Sequence, residues 1–154
     1  MPFDIKMNLP EVALIISAFV NIVLMFGLVI IPETLVSLVY GIGPLDHDTP
    51  SGEVALFLGA GASAYAAGVA ILMILAYMDK NPIGVKLALQ CYGYTCLFSA
   101  LYTLFPFPIA FPGPLSRRIL FLVQSSLMAI LNLVAAAKVR IDGYSTIIGA
   151  NSSL

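Results

Sequence analysis

Few side chains in this sequence are equipped for chemistry. His47 is the single histidine, and it stands between Asp46 and Asp48 in PLDHDTP. Three consecutive ligands point in divergent directions, whereas a metal ion needs a convergent set. The triplet therefore reads as a solvated acidic loop, and no metal site is expected. Cys91 and Cys96 are the two cysteines. They lie about 140° apart around a helix axis at 3.6 residues per turn, so they cannot bridge and read as small apolar side chains. The spacings of zinc proteases, paired CxxC sites, nucleophile elbows and P-loops do not occur in the sequence. No catalytic residue is assigned, and the expected role is non-catalytic.

The stretch GAGASAYAAG at 59–68 resembles a phosphate-cradling loop in composition only. Such a loop follows a strand and leaves its backbone N–H groups open to the anion. Here the glycines lie inside a long apolar run, where every backbone group must be bonded within a helix. Gly59, Ala60, Gly61, Ser63, Ala64 and Gly68 then form small-residue steps of the kind that let helix backbones approach closely. They predict a helix-packing ridge.

Other polar groups lie within apolar runs: Ser17 and Asn21 in the first, Gln90 in the third, and Gln124, Ser125 and Asn132 in the fourth. Their expected use is hydrogen bonding between helices. At 1.5 Å per residue, Asn21 lies about 14 Å in from Val12 and Asn132 about 9 Å in from Lys138, which predicts that the two amides meet. Tyr94, Phe98 and Tyr102 repeat every four residues, with Phe105 following. This aromatic stripe is an expected packing face and the alternative lining for an apolar ligand. Bound lipid, quinone, sterol, carotenoid or chlorophyll are the candidates. Arg117 and Arg118 open the fourth helix, where the helix dipole disfavours cations. They are expected to clamp the acids of the 32–53 segment or to hold a lipid phosphate.

The elements that must position these groups follow from composition. Of 154 residues, 60% are hydrophobic and 10% charged, with a mean hydropathy of +1.02; soluble domains carry about 25% charged residues. Four apolar runs, at about 12–31, 54–78, 87–105 and 119–137, approach or exceed the 18 to 20 residues that span a bilayer. The expected fold is a single all-α domain over 1–154, a four-transmembrane-helix bundle. Asn8, Pro10 and Glu11 supply a capping signal for the first helix, and Asn81-Pro82 one for the third. Pro32 and Pro106 mark helix ends.

Between the runs, residues 33–41 are apolar but too short to cross, which suits a short interfacial helix. FPFPIAFPGP at 105–114 predicts an extended, proline-stiffened segment. The N-terminal stretch lacks the basic start and cleavage pattern of a signal peptide, so the first run is expected to stay in the membrane. Five of the seven basic residues fall on the side of the termini, with Arg117 and Arg118 opposite. By the positive-inside rule both termini then face the cytoplasm, matrix or stroma. The net charge of −1 leaves no electrostatic footprint for nucleic acid. The expected partners are membrane lipids and other transmembrane subunits. The sequence thus suggests an accessory subunit of a larger membrane complex, of photosynthetic or respiratory type. The alternative is a stand-alone binder or carrier of an apolar ligand.

Overall fold

A computed structural model describes residues 8–35, 50–104 and 115–140. They form four long helices: α1 (Leu9–Ile30), α2 (Pro50–Asp79), α3 (Pro82–Leu104) and α4 (Leu115–Lys138). No strand occurs among the described residues. Three helices are long and apolar enough to cross a membrane, over Leu9–Ile30, Gly52–Asp79 and Arg118–Lys138, which points to an integral membrane protein. At 23 residues α3 has the length, but Lys86, Gln90, Thr95, Ser99 and Thr103 make it less apolar than its neighbours.

Local chemistry explains the helix ends. The Asn8 side chain accepts from the Glu11 N–H at 3.0 Å, and Glu11 accepts from the Asn8 N–H at 3.1 Å. This reciprocal box satisfies two donors that the first turn would otherwise leave open. The first helix stops at Ile30, before Pro32, and one helical turn over 32–35 follows. That turn folds back, because a Cβ on Gly27 would lie 2.9 Å from Leu35 Cδ2. The remainder of the expected interfacial helix, at 36–41, lies outside the described residues. So does the proline-rich stretch at 105–114. The α2–α3 connection is two residues long. Lys80 adopts φ 54°, and Asn81 accepts from the Ile83 N–H at 3.0 Å to cap α3.

Packing is closest within two helix pairs, α1 with α2 and α3 with α4, and lighter between the pairs. The α3–α4 seam is tightest at Gly93, where a Cβ would sit 2.8 Å from Leu133 Cγ and 3.3 Å from Asn132 Cβ. Only glycine permits that approach. Leu14, Met73, Leu89, Asn132 and Ser17 are the largest fully buried side chains. They come from all four helices and make a tightly packed layer across the bundle. Outside it, Phe19, Val29, Ile30, Phe57, Met78 and Phe98 are each more than half exposed, an apolar exterior suited to lipid.

Candidate functional site: an interior hollow between the helices

The packed layer is held by a polar contact. Ser17 Oγ donates to Asn132 Oδ1 at 3.0 Å, and Asn132 Nδ2 donates to the Met128 carbonyl at 2.8 Å. The expected meeting of Asn21 with Asn132 gives way to this pair, and depth explains why. From the same starting point, Ser17 is only about 8 Å deep at 1.5 Å per residue, close to the depth of Asn132. Asn21 instead donates to the Ser17 carbonyl at 2.8 Å and faces the other side of the layer.

On that side lies a hollow of about 260 Å³. Leu24, Leu28, Leu35, Ala62, Ala66, Phe121 and Met128 give it apolar walls, and Asn21, Tyr65, Tyr92, Thr95, Ser99, Gln124 and Ser125 give it polar groups. These polar groups divide by role. Thr95 Oγ1 donates to the Cys91 carbonyl at 2.9 Å, and Ser99 Oγ donates to the Thr95 carbonyl at 3.0 Å. Each hydroxyl has a single hydrogen, so both present acceptor lone pairs. The phenols of Tyr65 and Tyr92 and the Gln124 amide can donate. A molecule with one ring and a carbonyl or hydroxyl would meet complementary partners there. Among the described residues none of the lining side chains is charged, in keeping with the cost of burying a charge within a membrane.

The residues singled out in the sequence divide between inside and outside. Asn21, Gln124, Ser125 and Gly59 line the hollow, and Ser63 is buried close by. Gln90 is half-buried. The aromatic stripe faces away: Tyr94, Phe98 and Tyr102 are 50%, 70% and 49% exposed, while Phe105 lies outside the described residues. Tyr92 is two residues, or about 200°, from Tyr94 on the helix. The inward face of α3 therefore carries Tyr92, Thr95, Cys96 and Ser99. Sequence reasoning followed the bulkier stripe and missed these four, together with Tyr65. Their own helical spacing was the available signal.

The small-residue ridge also splits. Ala60, Gly61, Ala64 and Gly68 are exposed, and the space where Gly61 and Gly68 would carry a Cβ is open. The inner seam of α2 runs instead through Gly59, Ser63, Ala66, Ala70 and Met73. Both registers carry small residues, so backbone approach alone did not choose between them. Of the cysteines, both read from the sequence as small apolar side chains, Cys96 is buried and Cys91 exposed. Arg118 is half-buried, and its Nη2 donates to the Thr103 carbonyl at 3.3 Å. That places the cation at the negative end of the α3 dipole, an offset supplied by backbone in the last turn of α3. The side chain of Arg117 and the Asp46, His47, Asp48 triplet lie outside the described residues. Among the described residues no group of three or more His, Cys, Asp or Glu is arranged to hold a metal ion.

Comparison with known proteins gives no matching family model, curated protein or solved structure.

Proposed function

We propose that this chain is a four-span membrane protein that binds a small amphipathic molecule between its helices, with α3 as the fourth span. The observation that carries the reading is the uncharged hollow of about 260 Å³ with donors and acceptors facing it across apolar walls. Ligand pockets run from about 300 to 1,000 Å³ and combine apolar walls with a few placed polar groups. A hollow just under that range suits one ring or headgroup, with any tail passing between helices into lipid. It favours a quinone-type head over a whole carotenoid or chlorin. The test is extraction in mild detergent followed by mass spectrometry of the organic extract. A stoichiometric small molecule is expected from the native chain and its loss from Ala66→Phe and Ser99→Leu, both of which fill the hollow. Absence of any such molecule from folded native protein would overturn the reading.

A second reading, an accessory subunit of a larger membrane assembly, is favoured by the outward small residues of α2. Open space beside Gly61 and Gly68 would let a partner helix approach closely. Native sizing separates the two readings, since a large hetero-complex supports the subunit. Under either, the excess of lysine and arginine at the termini puts that end in the cytoplasm or its equivalent. A cysteine at Lys138 should then react with an impermeant thiol reagent only from that side.

A further inference from the structure

A second groove, of about 450 Å³, opens at the end of the bundle where α1 begins and α4 ends. It is built by the starts of α1 and α3 and the ends of α2 and α4. Among the described residues, Lys80, Lys138 and Arg140 line it together with one acid, Glu11. Three cations against one acid leave a balance of +2 among those residues. Glu11 is already engaged in the capping box, where its carboxylate accepts from the Asn8 N–H. The neighbouring Asp79 is exposed and does not line the groove. Below the cations the walls turn apolar, with Leu9, Leu14, Ala76, Val85 and Val139.

We propose that this groove binds a phosphate-ester anion, with the ester's apolar part laid against the bundle, as an anionic lipid would present itself. The charge balance calls for an anion. Lysine and arginine both bind phosphate, and arginine can do so through two parallel hydrogen bonds. The apolar lining distinguishes the source, because inorganic phosphate gains nothing from Leu9 or Val139 whereas a glycerolipid covers them. The position of the cations at the helix ends sets them at headgroup depth, where anionic lipids attract basic side chains.

Lys80 adds a separate handle. It follows the last residue of α2 at φ 54°, in the left-handed region where glycine is the usual cap. A lysine there strains the backbone while placing a cation on the groove. Lys80→Gly therefore relieves the backbone and removes the charge, so stability and anion binding move in opposite directions.

The test places the full chain in nanodiscs of phosphatidylcholine with a minority of phosphatidylglycerol and counts retained lipids by native mass spectrometry. The native chain is expected to retain phosphatidylglycerol over phosphatidylcholine by about tenfold, from the attraction of several basic residues to anionic headgroups. Lys138→Gln with Arg140→Gln should bring the ratio near one. Lys80→Gly should lower it severalfold while the melting temperature holds or rises. A parallel arm adds inorganic phosphate to discs of phosphatidylcholine alone. Stabilisation there, lost in the double variant, keeps the anion site and makes soluble phosphate its source. No preference in either arm, or a preference that survives the double variant, overturns the proposal. The outcome is independent of whether the interior hollow holds a ligand.

Discussion

The two hollows of this bundle differ in a way that depth explains. The groove where α1 begins and α4 ends is lined by Lys80, Lys138, Arg140 and Glu11. The hollow on the far side of the packed layer is lined, among the described residues, by apolar side chains, hydroxyls, phenols and amides with no charge among them. A charge at the bilayer centre costs several kcal/mol, whereas one near a helix end reaches the headgroups. The same four helices thus offer two kinds of recognition. The outer one is set by charge, and the inner one by the direction of single hydrogen bonds. On the proposed reading, a charged head is disfavoured in the inner hollow, and a neutral ring has little to hold it in the outer groove.

Four substitutions would break or sharpen that contrast. The largest effect is expected for Asn132→Asp, which sets a carboxylate in the dry layer between the hollows. If it ionises there the cost is about 2.5–3.5 kcal/mol, read as a large drop in melting temperature in detergent. A variant as stable as the native chain would mean that water reaches the layer. Next comes Gly93→Leu, which forces α3 off α4 at their closest point. Overpacking of this kind costs about 1–3 kcal/mol, and it should also widen the inner hollow and release its ligand. Loss of stability without loss of ligand would separate the seam from the site. Ser17→Ala removes the hydroxyl that donates to Asn132, and a membrane hydrogen bond averages about 0.6 kcal/mol. A loss above 2 kcal/mol, on the scale of leaving a buried polar group unpaired, would show that Asn132 finds no substitute partner. The smallest effect is expected for Ala64→Leu, on the outward face of α2. A surface change shifts stability by less than about 0.5 kcal/mol, so the melting temperature of the isolated chain should hold. Dissociation of a native complex by this variant would instead assign that face to a partner.

Much of the fold was legible because local rules and the bilayer act on consecutive residues. Asn8 and Glu11 form the capping box that their spacing announces, and Asn81 caps α3 as its place before Pro82 suggests. Apolar runs of span length need no knowledge of what they pack against. Which face of a helix turns inward does need that knowledge, and composition does not supply it. α2 carries small residues in two registers and α3 carries aromatic and polar groups on opposite sides, so composition left both undecided. In a membrane the exterior is as apolar as the core, and hydrophobicity gives no sense of direction. Gly93 escaped notice for the same reason. A lone glycine gives no repeat, and its meaning lies wholly in Leu133 across the seam.

The layer of Leu14, Ser17, Met73, Leu89 and Asn132 has a consequence for the membrane that holds it. In each helix a layer residue falls between a residue of one hollow and a residue of the other: Ser17 between Leu14 and Val20, Met73 between Ala66 and Ala76, Leu89 between Val85 and Tyr92, and Asn132 between Met128 and Lys138. A proton crossing by relay would need a continuous file of exchangeable hydrogens. The hydrogen bonds of the layer end on amides, which relay protons poorly: Ser17 donates to the Asn132 carbonyl oxygen, and Asn132 donates to the Met128 backbone carbonyl. Leu14, Met73 and Leu89 fill the remaining cross-section with groups that carry no hydrogen to exchange. The layer acts as a septum: among the described residues, no side chain lines both the groove and the hollow.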